Sequence, residues 1–303
     1  MEPIKKIDIH AHASPNKNFP PVFARGQFLI NAYELVELYD KLNIEKGVLL
    51  PLISPESLSA PVTSFDCACL AEKYPDRLTW FCNVDPRGCG NRPDADFTPL
   101  LEYYKSLGAK GVGELTAQLY ADDPYLDNFF SHCAACDMPV TIHIAPGFGG
   151  RYGIVDELGL PRLEKMLKKH KNLKILGHSQ MFWTEISADV TAETRGGCLT
   201  GKVTEGRIAQ LMRECENLYC DISAGSGSNA FMRDPEYTAK FIEEFSDRIL
   251  YGCDICLVAT ANFAFKFDAF LTKMRADGMI SEENYYKIVR GNAIKLLKLE
   301  EEK

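Results

Sequence analysis

Short apolar runs alternate along this chain with longer amphipathic stretches. Eight runs, at 7–12, 47–52, 78–84, 109–115, 139–145, 173–179, 218–223 and 248–254, are rich in Val, Ile, Leu or aromatic residues. They are bounded by Gly, Pro, Asn or Asp, as buried parallel strands are. Between the first two runs, Leu35, Leu38, Tyr39 and Leu42 recur at helical spacing and predict a helix over 33–42. The stretches 100–107, 125–136, 163–169, 205–213 and 237–245 read the same way, and 281–299 predicts a closing helix or helix pair with Ser281 as its N-cap. Strand followed by helix, eight times over, predicts a (β/α)8 TIM barrel forming one domain over 1–303.

Three stretches break the rhythm: 13–31, rich in Pro and Phe; the Gly-rich 146–159; and the mixed 179–201. Each follows a predicted strand at its C-terminal end, which is where barrel active sites are built. In 146–152, Gly147, Gly149 and Gly150 match neither dinucleotide-binding nor P-loop spacing, so a loop over the pocket is expected there.

Composition narrows the function. The 34 basic and 42 acidic residues give a net charge of −8, without a basic run or stripe, which argues against nucleic acid as a partner. No apolar run reaches the roughly 18–20 residues of a membrane span. Eleven cysteines without an export-like apolar leader lead us to expect reduced thiols and a cytoplasmic setting. The expected partner is a small molecule.

Four of the six histidines end predicted strands. His10 and His12 are separated by one residue, so on a strand both project to one face. With Ile7 and Ile9 turned toward the helices, both imidazoles would enter the barrel mouth, with Asp8 beneath His10 on the same face. Parity likewise turns His143 inward if Val140 and Ile142 face outward. His178 closes the sixth strand, and Asp254 the eighth. Histidines and an aspartate converging on one mouth suit a divalent ion, Zn²⁺ first, with Mn²⁺ or Fe²⁺ also suited to such ligands. His132 and His170 fall outside this set and are expected to be structural.

In the order of Ile7–His12, Val140–Ala145, Lys174–Ser179 and Leu250–Asp254, the chain resembles the amidohydrolase superfamily, in the branch that also holds aromatic and acyclic acid decarboxylases. The resemblance implies His10, His12, His143 and Asp254 as metal ligands. It makes His178 either a ligand of a second ion or a polariser of substrate and water. Glu114 ends the fourth strand, where binuclear members carry a bridging carboxylate; it is a ligand, a support for one, or a substrate-facing acid. Asp254 would be the proton acceptor and donor, with His178 beside it as the second catalytic group. The implied activity is hydrolysis of a C–N or C–O bond through metal-activated water, or non-oxidative decarboxylation with the same residues. The residues themselves offer as candidate substrate contacts Arg151, for a carboxylate, Trp183, as a pocket wall or as packing of the loop, and Asp221, inward by parity at the end of the seventh strand, to orient a substrate or a ligand. A homodimer is the family expectation.

Cys133 with Cys136 and Cys253 with Cys256 have zinc-like spacing. The first pair lies on an amphipathic helix, where buried cysteines pack, and Cys253 must point away from Asp254.

Overall fold

In a computed structural model, residues 3–17, 21–22, 27–58 and 61–299 are described. Eight parallel strands form the centre: β1 (Lys6–Ala11), β2 (Ile44–Leu49), β3 (Leu78–Trp80), β4 (Val112–Leu115), β5 (Val140–Ala145), β6 (Ile175–His178), β7 (Leu218–Asp221) and β8 (Ile249–Leu250). β1–β2–β3 pair in order, as do β4 through β8. The two groups meet at a parallel bridge between Cys82 and Val112. The ring closes where Ile9 N–H donates to Tyr251 O at 3.0 Å, Asp254 N–H donates to His10 O at 2.8 Å, and Ala11 pairs with Ile255.

Outside this ring lie α1 (Ala32–Leu42), α2 (Ser64–Lys73), α3 (Thr98–Ser106), α4 (Pro124–Ala135), α5 (Pro161–Lys169), α6 (Arg207–Glu214), α7 (Ala224–Met232), α8 (Pro235–Phe245), α9 (Ala261–Ala276) and the final α10 (Asn292–Leu297). Local chemistry starts several of them. Asn31 and Glu34 form a reciprocal capping box at α1, and Thr63 and Asp66 do so at α2. Ser281 caps a short helix, Glu282–Tyr286, by accepting the Asn284 N–H. The sequence pattern had not marked α2, α7 or α9. Of the irregular stretch at 13–31, positions 18–20 and 23–26 lie outside the described residues.

The barrel interior corrects one expectation. Ile7 and Ile9 do not face the helices. They cluster with Val48, Leu50, Phe81, Leu176 and Leu250, and with Ala293, Leu296 and Leu297 of α10. Side chains from β1 and β6, on opposite sides of the ring, share a cluster only through its interior. Asp8 is then on the outer face, where the Tyr39 hydroxyl of α1 donates to it. The physical reason is a bulge: Asp8 pairs with Gly47 and Ala11 with Leu49, so three steps along β1 match two along β2. One extra residue reverses the side on which the next residues emerge. His10 and His12 therefore reach the mouth by way of the bulge, not by simple alternation.

Candidate metal centre

Each histidine of the mouth is held by a partner at Nδ1. His10 Nδ1 lies 2.6 Å from Asp221 Oδ2. His12 Nδ1 lies 2.8 Å from Leu50 O. His178 Nδ1 lies 3.1 Å from the Ser223 hydroxyl and 3.4 Å from Asp221 Oδ2, and Asp221 Oδ1 accepts the Ser223 backbone N–H at 2.9 Å. Carboxylates and carbonyls only accept, so the first two contacts fix Nδ1–H tautomers directly. At His178 the Asp221 carboxylate, 3.4 Å from Nδ1, favours the same tautomer. All three rings then present an Nε2 lone pair.

Those lone pairs converge. His10 Nε2 is 3.1 Å from His12 Nε2, 3.8 Å from Glu114 Oε2 and 3.7 Å from Asp254 Oδ1. His12 Nε2 is 3.5 Å from Glu114 Oε2 and 3.6 Å from Asp254 Oδ1. His178 Nε2 is 3.7 Å from Glu114 Oε1 and 3.8 Å from Asp254 Oδ2. Ligands at about 2.1 Å from an ion sit about 3.0 Å apart at right angles and about 3.4 Å apart at tetrahedral angles. The donor spacing fits an ion within this shell with little adjustment, and three imidazoles with two carboxylates suit zinc or its first-row neighbours. Two groups meet the geometry of a metal site, His10 with His12 and Asp254, and His10 with Glu114 and His178. His143 stands outside both: its Nδ1 contacts Glu114 Oε1 at 2.6 Å, and its ring lies 4.8 Å from that of Tyr152.

The electrostatics agree with a cation site. Burial alone would lower the His10 pKa, but Asp221, Asp254 and Glu114 outweigh it and raise it to about 10. Burial opposes charge on Glu114 too, yet His143, His12 and His10 hold its carboxyl well below the usual range. Asp221 is lowered against its own burial by His10 and His178. Burial leads at His178 and lowers it. Glu114 and Asp221, held ionised among buried imidazoles, call for positive charge between them.

The remaining sequence candidates separate. Arg151 is exposed beside a cavity of about 390 Å³ whose walls include His143, Tyr152, Gln180 and Glu56. Among the described residues its guanidinium has no ion-pair partner. Gln118 fastens this loop, donating to Gly147 O at 3.3 Å and accepting Gly149 N–H at 2.8 Å. Trp183 is 1% exposed, its indole N–H donates to Asp221 O at 2.8 Å, and its ring packs on Phe182 and Phe231. It is a wall behind β7 and not a substrate contact. Asp221, fully buried, meets histidines and Ser223; of its two expected roles, toward a substrate or toward a ligand, its contact at 2.6 Å is with His10. His132 bonds Thr98, and His170 bonds Asp127. None of the eleven cysteines is in a disulfide. Sequence reading missed Ser223, whose spacing of two from Asp221 was a usable signal, and the Leu50 carbonyl, which leaves none.

A barrel of eight parallel strands with a metal-shaped cluster of His, Asp and Glu at its C-terminal mouth defines an amidohydrolase-type protein. The chain belongs to the amidohydrolase family, whose sequence model matches residues 7–299. No curated protein matches it. Among solved structures it is similar to an uncharacterised TIM-barrel protein of Bordetella bronchiseptica, at 18% identity and TM-score 0.63 over 97% of this chain and 99% of the other. It is similar to 2,6-dihydroxybenzoate decarboxylase from Rhizobium, at 19% and 0.61 over 97% and 98%. A probable 2-pyrone-4,6-dicarboxylic acid hydrolase of Acinetobacter baumannii matches at 14% and 0.57 over 98% and 100%. These likenesses establish the shared fold. Among the described residues no helix is long and apolar enough to cross a membrane.

Proposed function

We propose that the protein is a metal-dependent hydrolase that cleaves a C–N or C–O bond in a small, carboxylate-bearing molecule. The observation that carries this reading is the convergence of three Nε2 lone pairs with Glu114 and Asp254 at 3.1–3.8 Å spacing. His10, His12, His178, Glu114 and Asp254 would hold the ion, with His143 fixing Glu114 from the side. A divalent ion bound here supplies Lewis acidity and brings the pKa of water to about 7. Asp254 is the ligand candidate with an exposed edge, its side chain 22% accessible. It accepts a proton from the attacking water and returns it to the leaving group. Arg151 holds the substrate carboxylate by paired hydrogen bonds and so orients the scissile bond toward Asp254.

The same residues serve a second reading, non-oxidative decarboxylation. There Asp254 delivers a proton to the carbon that loses CO₂. Glu114 favours hydrolysis, because a second carboxylate in the shell strengthens binding of one ion or provides for another.

Elemental mass spectrometry of tag-free protein tests the centre. At least one metal per chain is expected, and His10→Ala or Asp254→Asn should lower it together with activity. Wild-type metal and turnover in either variant would remove the assignment. With a turned-over substrate in hand, ¹⁸O from labelled water in the product supports hydrolysis, whereas CO₂ release without it selects the decarboxylase.

A further inference from the structure

Asp8 is fully buried and touches none of the converging ligand atoms. It lies on the outer face of β1, under α1. Its Oδ1 accepts two backbone N–H groups, from His10 at 3.0 Å and from Cys253 at 2.8 Å. One belongs to a ligand, and the other directly precedes the ligand Asp254. Its Oδ2 accepts the Tyr39 hydroxyl at 2.7 Å. Both N–H groups sit where regular pairing fails, at the bulge of β1 and just past the end of β8. A buried donor left unpaired is costly, so one carboxylate oxygen resolves two such costs at the seam of the barrel.

The anchor from α1 is also specific. Tyr39 reaches Asp8 over Gly47, the residue paired with Asp8 on β2. A Cβ at Gly47 would lie 2.1 Å from the Tyr39 hydroxyl oxygen. Glycine at that position, tyrosine on α1 and aspartate on β1 thus form one connected device, and the Asp254 N–H bond to His10 O at 2.8 Å completes the same seam.

We propose that Asp8 is a positioning residue of the metal centre: its carboxylate fastens the β1 bulge to the segment bearing Asp254 and so sets His10 and Asp254 at ligand distance. The proposal rests on the metal-centre reading above, and its test is chosen to separate the two. Zn²⁺ affinity of the full chain is measured by chelator competition, and amide hydrogen exchange is followed residue by residue in the metal-free protein. Asp8→Ala should weaken Zn²⁺ about ten- to a hundredfold, the usual cost of losing a group that orients a ligand. It should also speed exchange at His10 and Cys253 at least about tenfold beyond any change at Ile142 in β5, since local opening moves only the amides it frees. Asp8→Asn keeps an acceptor oxygen and should restore both readouts.

Wild-type Zn²⁺ affinity in Asp8→Ala, or exchange accelerated equally at Ile142, overturns the proposal. If Asp8→Ala does not fold, Asp8→Asn decides: loss of protection at His10 and Cys253 there overturns it, and retention supports it. If the wild-type chain binds no Zn²⁺, the metal reading fails on its own, and the exchange data still decide whether Asp8 fastens the seam.

Discussion

Asp221 controls the centre through tautomers. Its carboxylate can only accept, so it holds the proton of His10 on Nδ1 at 2.6 Å and faces Nδ1 of His178 at 3.4 Å. An asparagine would turn either a donor or a weaker acceptor toward His10. Asp221→Asn should therefore weaken Zn²⁺ about ten- to a hundredfold with little change in fold, as read by chelator competition and circular dichroism. Asp156 gives a pH prediction remote from the metal. It accepts three backbone N–H groups at the start of α5, from Glu157, Arg162 and Leu163. Burial nevertheless dominates and raises its pKa from 3.8 to about 6. A carboxyl raised on folding gives stability that is complete below the unfolded pKa and lost as pH rises through the folded one. Two pKa units correspond to about 3 kcal/mol. Urea melts should therefore show the advantage of wild type over Asp156→Asn shrinking by about that amount between pH 4 and pH 7. A difference constant with pH would refute the raised pKa.

At the scale of elements, the loop after β5 is shaped by Gly153, which has φ +118° and backs onto His143. A Cβ there would lie 2.9 Å from His143 Cδ2 and from its carbonyl oxygen. Gly153→Ala should cost about 1–3 kcal/mol in a denaturant melt. It should also lower turnover by pushing His143 against Glu114, whereas Gly278, also at positive φ but with open space around a Cβ, should show the backbone cost alone. What the chain announced of its elements depended on the kind of signal. β5, β6 and β7 follow strict alternation, so His143, His178 and Asp221 were placed on the inner face by parity alone. β1 breaks alternation, and nothing in Ile7–His12 marks a bulge, because the cause is tertiary: Asp8 is held by Tyr39, from another element. The two histidines were found, but for a reason that holds only above the bulge. α9 was hidden differently. Phe263, Phe265 and Phe267 alternate with period two, whereas its buried residues, Ala261, Ala264, Phe267, Leu271 and Met274, follow the helical period. Exposed Phe263 obscured the buried stripe.

Across the whole molecule, the candidate metal centre and the closure of the chain occupy opposite ends of the barrel. The ligands stand at the C-terminal ends of the strands. At the other end, Asn292 donates to Ser246 O and Ile249 O, and Arg290 donates to Lys5 O, so the chain end returns to the starts of β8 and β1. α10 then inserts Ala293, Leu296 and Leu297 under Ile7, Val48 and Leu250. Leu297 is 2% exposed, and Leu297→Ala should cost about 2–5 kcal/mol, the range for a leucine removed from a core that collapses only partly. A metal ion held by the candidate ligands would act on the same equilibrium from the opposite end. An ion at about a hundred times its dissociation constant stabilises the folded chain by about 2.7 kcal/mol. Leu297 belongs to the apolar cluster and the candidate ligands to the polar one, and effects at separated positions add. Thermal melts of wild type and Leu297→Ala, each with Zn²⁺ and with a chelator, should therefore show the same stabilisation by metal in both proteins. A smaller metal effect in the variant would mean that the apolar plug and the metal centre are coupled through the barrel interior, with Ile9, next to His10, as the nearest member of the cluster to carry that coupling.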